Sequence, residues 1–167
     1  QWIEGSEFTW VASTLGESDV DITTVTTNSD PVTITFAQAG NTSNAPKYYK
    51  SDHTARFYKS STMTISVPTG KLMAEIEFDS HFDMSADKGT YEDKTWNGLA
   101  RTVVFTASAT CKIGTITVTY ANGTETTLSI PDVAIKTTDD PVAIVPTCNV
   151  TPTPTITYSV ADEDFAT

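Results

Sequence analysis

Alternation of apolar and polar residues is the dominant pattern of this chain, and it predicts β-strands. In residues 32–36 the side chains of Val32, Ile34 and Phe36 fall on one face, because successive side chains of a strand point to opposite sides of the sheet. Comparable strand signals recur at short intervals, in residues 55–59, 62–67, 72–78, 101–107, 113–120 and 125–130. No segment has the periodicity of a convincing amphipathic helix. The pattern therefore predicts about eight strands and argues against a parallel α/β fold.

Turn-forming residues separate these segments. Residues 68–71, with the sequence Pro-Thr-Gly-Lys, predict a hairpin-type turn, and Asn122-Gly123 predicts a two-residue hairpin between the segments on either side. Residues 40–53 are rich in Gly, Asn, Ser, Pro and Asp and predict a long loop. Together these features predict an all-β fold, an antiparallel β-sandwich of the jelly-roll type.

The last part of the chain has a different composition. Residues 131–167 hold five of the eight prolines, and proline is confined to sheet edges and bulges because it has no N–H to donate to a neighbouring strand. Residues 156–160 alternate again and predict one more strand. A chain of 167 residues can bury one good core and a small appendage. We therefore expect a sandwich over residues 1–130, followed by a linker and the first strands of another domain over residues 131–167.

The charge balance excludes several partners. The chain has 21 acidic and 10 basic residues, and its formal net charge of −11 disfavours binding to nucleic acid or to anionic lipid. No run of 18 or more apolar residues predicts a membrane-spanning helix. No basic and then apolar leader precedes the first strand, which fits either a cytosolic protein or a mature secreted one. The composition, rich in Thr and poor in Lys, favours an extracellular or cell-surface location.

Neither the cysteines nor the histidines predict a catalytic site. Cys111 and Cys148 lack the paired spacing of a zinc or redox motif, and they are either buried thiols or one disulfide. His53 and His81 each lie near an Asp, but no Gly-x-Ser-x-Gly turn or comparable nucleophile accompanies them. We interpret both histidines as ordinary surface or loop residues and expect the protein not to be an enzyme.

Acidic residues offer two further hypotheses. The side chains of Glu75, Glu77 and Asp79 alternate onto one face of a predicted strand, where two of them could act as the paired carboxylates of a glycosidase. Apolar residues fill the opposite face, so we interpret the acids as the solvated face of this strand. Carboxylate oxygens suit hard cations, and the density of loop acids makes Asp79, Asp83 and Asp87 candidate ligands of a structural calcium ion. No residue spacing matches an EF-hand, and no other cofactor is expected.

Aromatic residues in polar segments carry the remaining hypothesis. A sugar ring packs its apolar face on an exposed aromatic ring, while nearby polar groups bind its hydroxyls. The best candidate is residues 87–98, a polar segment with two glycines that also holds a Tyr and a Trp. The alternative is that the Trp folds back and caps one end of the sandwich. The candidate ligand-binding residues are Trp96, Tyr91, Tyr48, Tyr49, Arg56 and Asn97.

Several of these segments resemble a known kind of module. The relevant residues are 56–59, 62–65, 89–91, 95–98, 103–106 and 116–120. They resemble a β-sandwich module of large secreted multidomain proteins of gut-dwelling bacteria, over about half of the chain. Residues 131–167 resemble the start of a bacterial immunoglobulin-like (group 2) domain. The resemblance implies an extracellular accessory module beside carbohydrate-active or adhesive domains, and it supplies no catalytic residues.

The sequence thus predicts a non-catalytic recognition module whose partner is a polysaccharide or other glycan, with protein binding as a second choice. The alternative is a structural spacer or an assembly domain of a surface, appendage or virion protein, because β-sandwiches serve many unrelated functions.

Overall fold

A computed structural model describes the protein over residues 5–23, 27–29, 31–124, 128–129 and 147–148. Nearly all of this part of the chain lies in antiparallel strands or the turns between them, which confirms the predicted all-β class. The elements are β1 (Ser6–Val11), a 3₁₀ turn (Ala12–Leu15), β2 (Val20–Asp21), β3 (Thr27–Ser29), β4 (Val32–Ala37), β5 (Lys47–Tyr49), β6 (Thr54–Phe57), β7 (Thr62–Ser66), β8 (Lys71–Phe78), β9 (Met84–Ala86), β10 (Thr90–Glu92), β11 (Thr95–Ala100), β12 (Thr102–Ala107), β13 (Cys111–Ile113), β14 (Thr115–Asn122), β15 (Leu128–Ser129) and β16 (Thr147–Cys148).

The chain divides into two compact units, residues 1–125 and residues 126–167. The first unit contains three sheets. We call them the first sheet, with strand order β1-β14-β8-β11-β10, the second sheet, β3-β4-β7-β12-β9, and the third sheet, β13-β6-β5-β2. In the second unit β15 pairs with β16. The sheets bear out the predicted sandwich, while its jelly-roll connectivity stays a prediction.

Strict alternation places the core between the sheets. On β4 the side chains of Val32, Ile34 and Phe36 are buried, as the sequence predicts. On β8 the residues Ile76 and Phe78 are buried, while Glu75 and Glu77, which alternate with them, face solvent. Each large apolar side chain buried in this way stabilises the fold by roughly 1.5–3 kcal/mol. Alternation alone therefore accounts for which face of each strand is inward.

Aromatic rings join the three sheets into one core. Phe78 of the first sheet meets Phe105 of the second sheet edge to face, with ring centres 5.3 Å apart. Phe36 of the second sheet meets Phe57 of the third sheet in the same way, at 5.8 Å. Such tilted pairs are the favoured geometry of aromatic rings and add about 0.5–1.5 kcal/mol beyond their burial.

The predicted hairpin at Asn122-Gly123 is wrong. Strand β14 pairs with β1 along one edge and with β8 along the other, so neither edge is left for the segment that follows. That segment contributes β15, which pairs with β16 instead. The Asn-Gly sequence favours a turn, but it does not decide which strands the turn joins.

The turn at residues 68–71 forms, but it is not a hairpin. The Lys71 N–H donates to the Pro68 carbonyl oxygen at 3.1 Å, and Gly70 has a φ of +85° that favours glycine. Strand β7 before the turn belongs to the second sheet and β8 after it to the first sheet. The turn is therefore a crossover between sheets.

The central strands of the second sheet share an uncharged outer face. Neighbouring strands are in register there, so the outward residues of β4, β7 and β12 form three rows. We call these nine residues the threonine face: Thr33, Ser66 and Thr102 in one row, Thr35, Thr64 and Val104 in the next, and Ala37, Thr62 and Thr106 in the third. The separate Thr-x-Thr segments of the sequence thus lie side by side on one surface.

Other predictions concern parts of the chain that the structure does not describe. The domain boundary after residue 130, the proline-containing linker and the strand at residues 156–160 lie outside the described residues. Within those that are described, the longest helical element is the four-residue 3₁₀ turn, and nothing helical has the length and apolarity of a membrane span.

A chain that ends at Glu125 should keep its fold, because all three sheets and their shared core lie within residues 1–125. We expect a single cooperative thermal transition within a few degrees of the full chain, measured by circular dichroism. Loss of that transition would show that residues 126–167 supply part of the sandwich.

Candidate functional site

Residues 87–98 form a hairpin instead of the predicted loop. Strands β10 and β11 pair through Tyr91 and Trp96, and β11 also pairs with β8, so the hairpin extends the first sheet. Asp93 makes the turn with a positive φ of +53°. The glycines of this segment suggested a loop, but they serve to make room for a side chain.

That side chain is Trp96, which is fully buried. Its indole N–H donates to the Lys88 carbonyl oxygen at 2.6 Å. A Cβ atom at Gly89 would lie 2.6 Å from the indole nitrogen, and a Cβ atom at Gly98 would lie 2.5 Å from an indole ring carbon. The ring therefore presents no face to a ligand. Its assignment as a ligand-binding residue is corrected: Trp96 is a packing residue, as the alternative interpretation held.

Tyr48 needs the same correction. It lies on β5, inside the segment predicted as a long loop, and its side chain points into the core with no exposed area. Its hydroxyl shares a hydrogen bond of 3.1 Å with Nδ1 of His53. Because the ring is buried, it offers no stacking surface.

Tyr49 and Arg56 are brought together on the outer face of the third sheet. The guanidinium carbon of Arg56 lies 4.0 Å from the ring centre of Tyr49, and the guanidinium also pairs with the Asp52 carboxylate. The Tyr49 hydroxyl lies 3.1 Å from that of Tyr58, and burial together with this contact raises the pKa of Tyr58 to about 12. Two predicted residues thus form one surface.

Asn97 lies apart from that surface. It is exposed on the outer face of the first sheet, opposite Thr90 on one side and Glu75 on the other. Since successive side chains of a strand alternate in direction, Asn97 and its neighbour Trp96 face opposite sides of the sheet. The six predicted residues therefore do not form a single site.

An open pocket of about 330 Å³ lies beside the β10–β11 hairpin. At its mouth the rings of His81 and Tyr91 are stacked, 6.2 Å between centres and 9° from parallel. The His81 Nδ1–H donates to the Asp93 carbonyl oxygen, which leaves Nε2 3.8 Å from the Asp83 carboxylate. The lining residues are His81, Phe82, Asp83, Met84, Tyr91, Ser108 and Ala109.

Tyr91 is a fixed wall of this pocket. Its ring packs edge to face on Phe78 and Phe105, with centres 5.8 and 6.0 Å away, and its hydroxyl accepts a hydrogen bond of 3.1 Å from the Phe82 N–H. Burial raises the pKa of the Tyr91 hydroxyl, so it stays neutral. His81 is the exposed partner of the pair, with 57% of its side chain accessible to solvent.

Sequence reasoning missed most of the pocket. His81 was interpreted as an ordinary surface histidine, and residues 108–109 carried no signal of a site. The contact that brings them together is long-range: the Ser108 N–H donates to the Asp83 carbonyl oxygen at 2.8 Å. The polar and aromatic residues of segment 79–83 were the available clue, but alternation does not reveal which distant loop covers them.

Cys111 is a free thiol buried next to the pocket. Its Sγ lies 3.9 Å from the carbonyl oxygen of Asp83. Burial, with a smaller effect of the Asp83 charge, raises the pKa of the thiol to about 12. Of the two alternatives left open by the sequence, the structure favours the buried thiol for this residue. The side chain of Cys148 lies outside the described residues.

The acidic residues proposed for calcium have other roles here. The Asp79 carboxylate accepts hydrogen bonds from the N–H groups of Gly114 and Thr115, at 2.8 and 3.2 Å. Asp87 accepts one from the Val104 N–H at 2.7 Å. Among the described residues, no group of three or more His, Cys, Asp or Glu side chains is placed to hold a metal ion. Asp79, Asp83 and Asp87 are thus not brought together as ligands, and structural calcium stays a prediction.

Replacing Trp96 by Ala should destabilise the protein by about 3–5 kcal/mol, because it removes a fully buried ring and its hydrogen bond. Thermal or urea unfolding measures the change. Leu99→Ala is the matched control on the same strand, since Leu99 is 75% exposed and should cost little. Equal effects of the two substitutions would contradict the burial of Trp96.

Cys111 should resist alkylation in the native state, because burial raises the pKa of its thiol and keeps it protonated. A Cys148→Ser variant isolates Cys111, and its reaction with iodoacetamide at pH 8 should be slow until denaturant is added. The raised pKa also predicts that stability falls as the pH rises from 9 towards 12, because only the unfolded chain then loses the proton. Rapid labelling of the folded protein would show that the thiol is accessible.

No protein-family model matches the chain, and comparisons with curated proteins and with solved structures found no match either. The resemblance to a gut-bacterial sandwich module and to an immunoglobulin-like domain therefore stays a prediction from the residues.

Proposed function

We propose that the protein is a non-catalytic recognition module that binds a glycan in the pocket beside His81 and Tyr91. The observation that carries this proposal is the nearly parallel ring pair in an open pocket whose lining combines apolar residues with the polar groups of Asp83 and Ser108. The proposal keeps the predicted ligand class and the predicted Tyr91, but it replaces Trp96 by His81 as the exposed ring.

The ring pair provides the stacking surface. The rings of His81 and Tyr91 lie nearly parallel with centres 6.2 Å apart, so together they offer flat surface to a ligand. The apolar side of a sugar ring packs on such a flat surface. Because Tyr91 is held by Phe78 and Phe105, one ring of the pair is already in position before a ligand arrives. Preorganisation of this kind reduces the entropy lost on binding.

Polar groups around the ring pair suit sugar hydroxyls. The Asp83 carboxylate, 71% exposed, is an acceptor, and the Ser108 hydroxyl is both donor and acceptor. Nε2 of His81 faces the same region. A volume of about 330 Å³ is at the small end of ligand sites and fits one or two sugar rings rather than a long chain.

The lining residues favour binding over hydrolysis. Most glycosidases act with two carboxyl groups that flank the scissile bond. Among the described residues that line this pocket, Asp83 is the single carboxylate. The proposal also includes the extracellular or cell-surface location and accessory role that the composition and the resemblance predict.

The threonine face favours a second candidate, an assembly or spacer domain. A surface without charges loses little solvation energy when another protein covers it, whereas an unpaired charge is costly to bury. The face is part of a protein with a net charge of −11, so it is a favourable place for two such molecules or domains to meet. The threonine hydroxyls on this face can also form hydrogen bonds with water that remains between two associated molecules.

Replacing His81 by Asn should abolish most glycan binding without loss of stability, because the exposed imidazole contributes ligand contacts and little core burial. Affinity electrophoresis against a panel of plant, host and bacterial polysaccharides measures binding, and a thermal melt of each variant measures stability.

His53→Asn is the matched control for this substitution. It makes the same change at the other histidine, where it removes the hydrogen bond to the Tyr48 hydroxyl but no group that lines the pocket, and Asn tolerates the positive φ of +52° there. The thermal melt separates any loss of stability from a loss of binding. We expect wild type and His53→Asn to be retarded on the same glycans. Lack of retardation of the wild type on every glycan would reject the binding proposal and favour the assembly domain.

A further inference from the structure

Three cations lie in one row across the outer face of the third sheet. Lys47 on β5 is directly opposite Arg56 on β6, and Arg56 is directly opposite Lys112 on β13. Since neighbouring strands are about 4.8 Å apart, the row crosses roughly 10 Å of the sheet at right angles to the strands. We call Lys47, Arg56 and Lys112 the cation row. It contains three of the 10 basic residues of an acidic protein.

The charge of the row is only partly balanced. Asp52 pairs with Arg56. Burial acts to raise the pKa of Asp52, but the hydrogen bond from Thr54 and then the contacts and charges of Arg56 and Lys112 lower it. Asp21 continues the row beyond Lys47, but its Oδ1 already accepts hydrogen bonds from the N–H and the hydroxyl of Thr23. Neither lysine forms an ion pair with another described residue. Like charges directly opposite each other destabilise a sheet, so a bound anion would relieve a strain built into the fold.

The centre of the row is preorganised. The Arg56 guanidinium is held by Asp52, by the Thr54 hydroxyl at 3.4 Å from Nε, and by the Tyr49 ring beneath it. A guanidinium has five N–H donors, so these contacts leave donors for a carboxylate or a sulfate. The Lys47 amine lies 5.3 Å from the centre of the same Tyr49 ring, which places apolar surface beside the charges.

We propose that the cation row binds an acidic polysaccharide, one that carries a carboxylate or sulfate on successive sugar rings. Such a chain, laid across the strands, brings consecutive anions to consecutive cations, while the Tyr49 ring holds the central guanidinium in place. A duplex nucleic acid is less suitable, because its wide charged surface would also meet the acidic remainder of the protein. An acidic peptide offers charge, but its anions lie on flexible side chains and not along a chain of rigid rings. This site does not depend on the His81–Tyr91 pocket.

The test uses the full chain and three polymers: polygalacturonate, its fully methyl-esterified form and polyglutamate. Esterification removes the charge and keeps the sugar backbone. We expect the wild type to bind polygalacturonate, measured by isothermal titration calorimetry at low salt, and to bind the ester and polyglutamate at least about tenfold more weakly. Added salt should weaken the polygalacturonate complex, because ions in solution screen charges at the protein surface.

The double variant Lys47→Glu/Lys112→Glu should lose this binding and keep its thermal transition. Lys71→Glu/Lys94→Glu is the matched control: it changes the net charge equally, but Lys71 lies on the first sheet over Tyr120 and Lys94 pairs with Glu77. Absence of binding to polygalacturonate, equal binding of its ester, or an equal loss in both double variants would overturn the proposal. Polyglutamate bound as tightly as polygalacturonate would overturn it in favour of an acidic peptide.

Discussion

The junction at Gly114 is the constraint on which the three-sheet arrangement depends. Here the chain leaves β13 of the third sheet and enters β14 of the first sheet. The Ala12 N–H donates to the Gly114 carbonyl oxygen at 2.8 Å, and the Asp79 carboxylate accepts from the Gly114 N–H. A Cβ atom at this position would lie 2.6 Å from an Asp79 oxygen. Because residue 114 has no side chain, the Asp79 carboxylate at the end of β8 can bind the backbone at the start of β14. This contact fixes the position of β14, with which β8 and β1 pair.

The same junction explains how the two proposed binding surfaces arise from adjacent residues. On β13 the Cys111 side chain points inward and lies near the Asp83 backbone of the pocket, whereas Lys112 points outward into the cation row. Alternation along a single short strand thus supports the wall of one site and supplies a charge to the other. The cation row lies on strands, whereas the pocket combines Met84 and Tyr91 on strands with His81, Asp83 and Ser108 in the connections between strands.

Local pattern was sufficient for much of the fold and insufficient for the site. The inward faces of β4 and β8 follow directly from alternation, because side-chain direction depends only on position along the strand. Pairing does not: nothing near Asn122 indicates that β1, more than 100 positions earlier, already occupies an edge of β14. The stacking of His81 on Tyr91 and the row formed by Lys47, Arg56 and Lys112 likewise depend on contacts between distant segments. Composition identified aromatic and polar candidates, but only the pairing of strands decided which were buried and which were neighbours.

The indole of Trp96 and the two glycines beside it form a steric unit. Each glycine is restricted by the ring, since a side chain at residue 89 or 98 would overlap it, and the ring is retained because its removal would leave a void. In a lineage of related sequences positions 96 and 98 should therefore change together, because a smaller residue at 96 would release residue 98 from glycine. Residue 89 should stay glycine in either case, since its φ is +68° and a Cβ atom there would also lie 2.6 Å from the Asn97 carbonyl oxygen. Covariation at these positions would reflect side-chain packing and would not depend on what the protein binds.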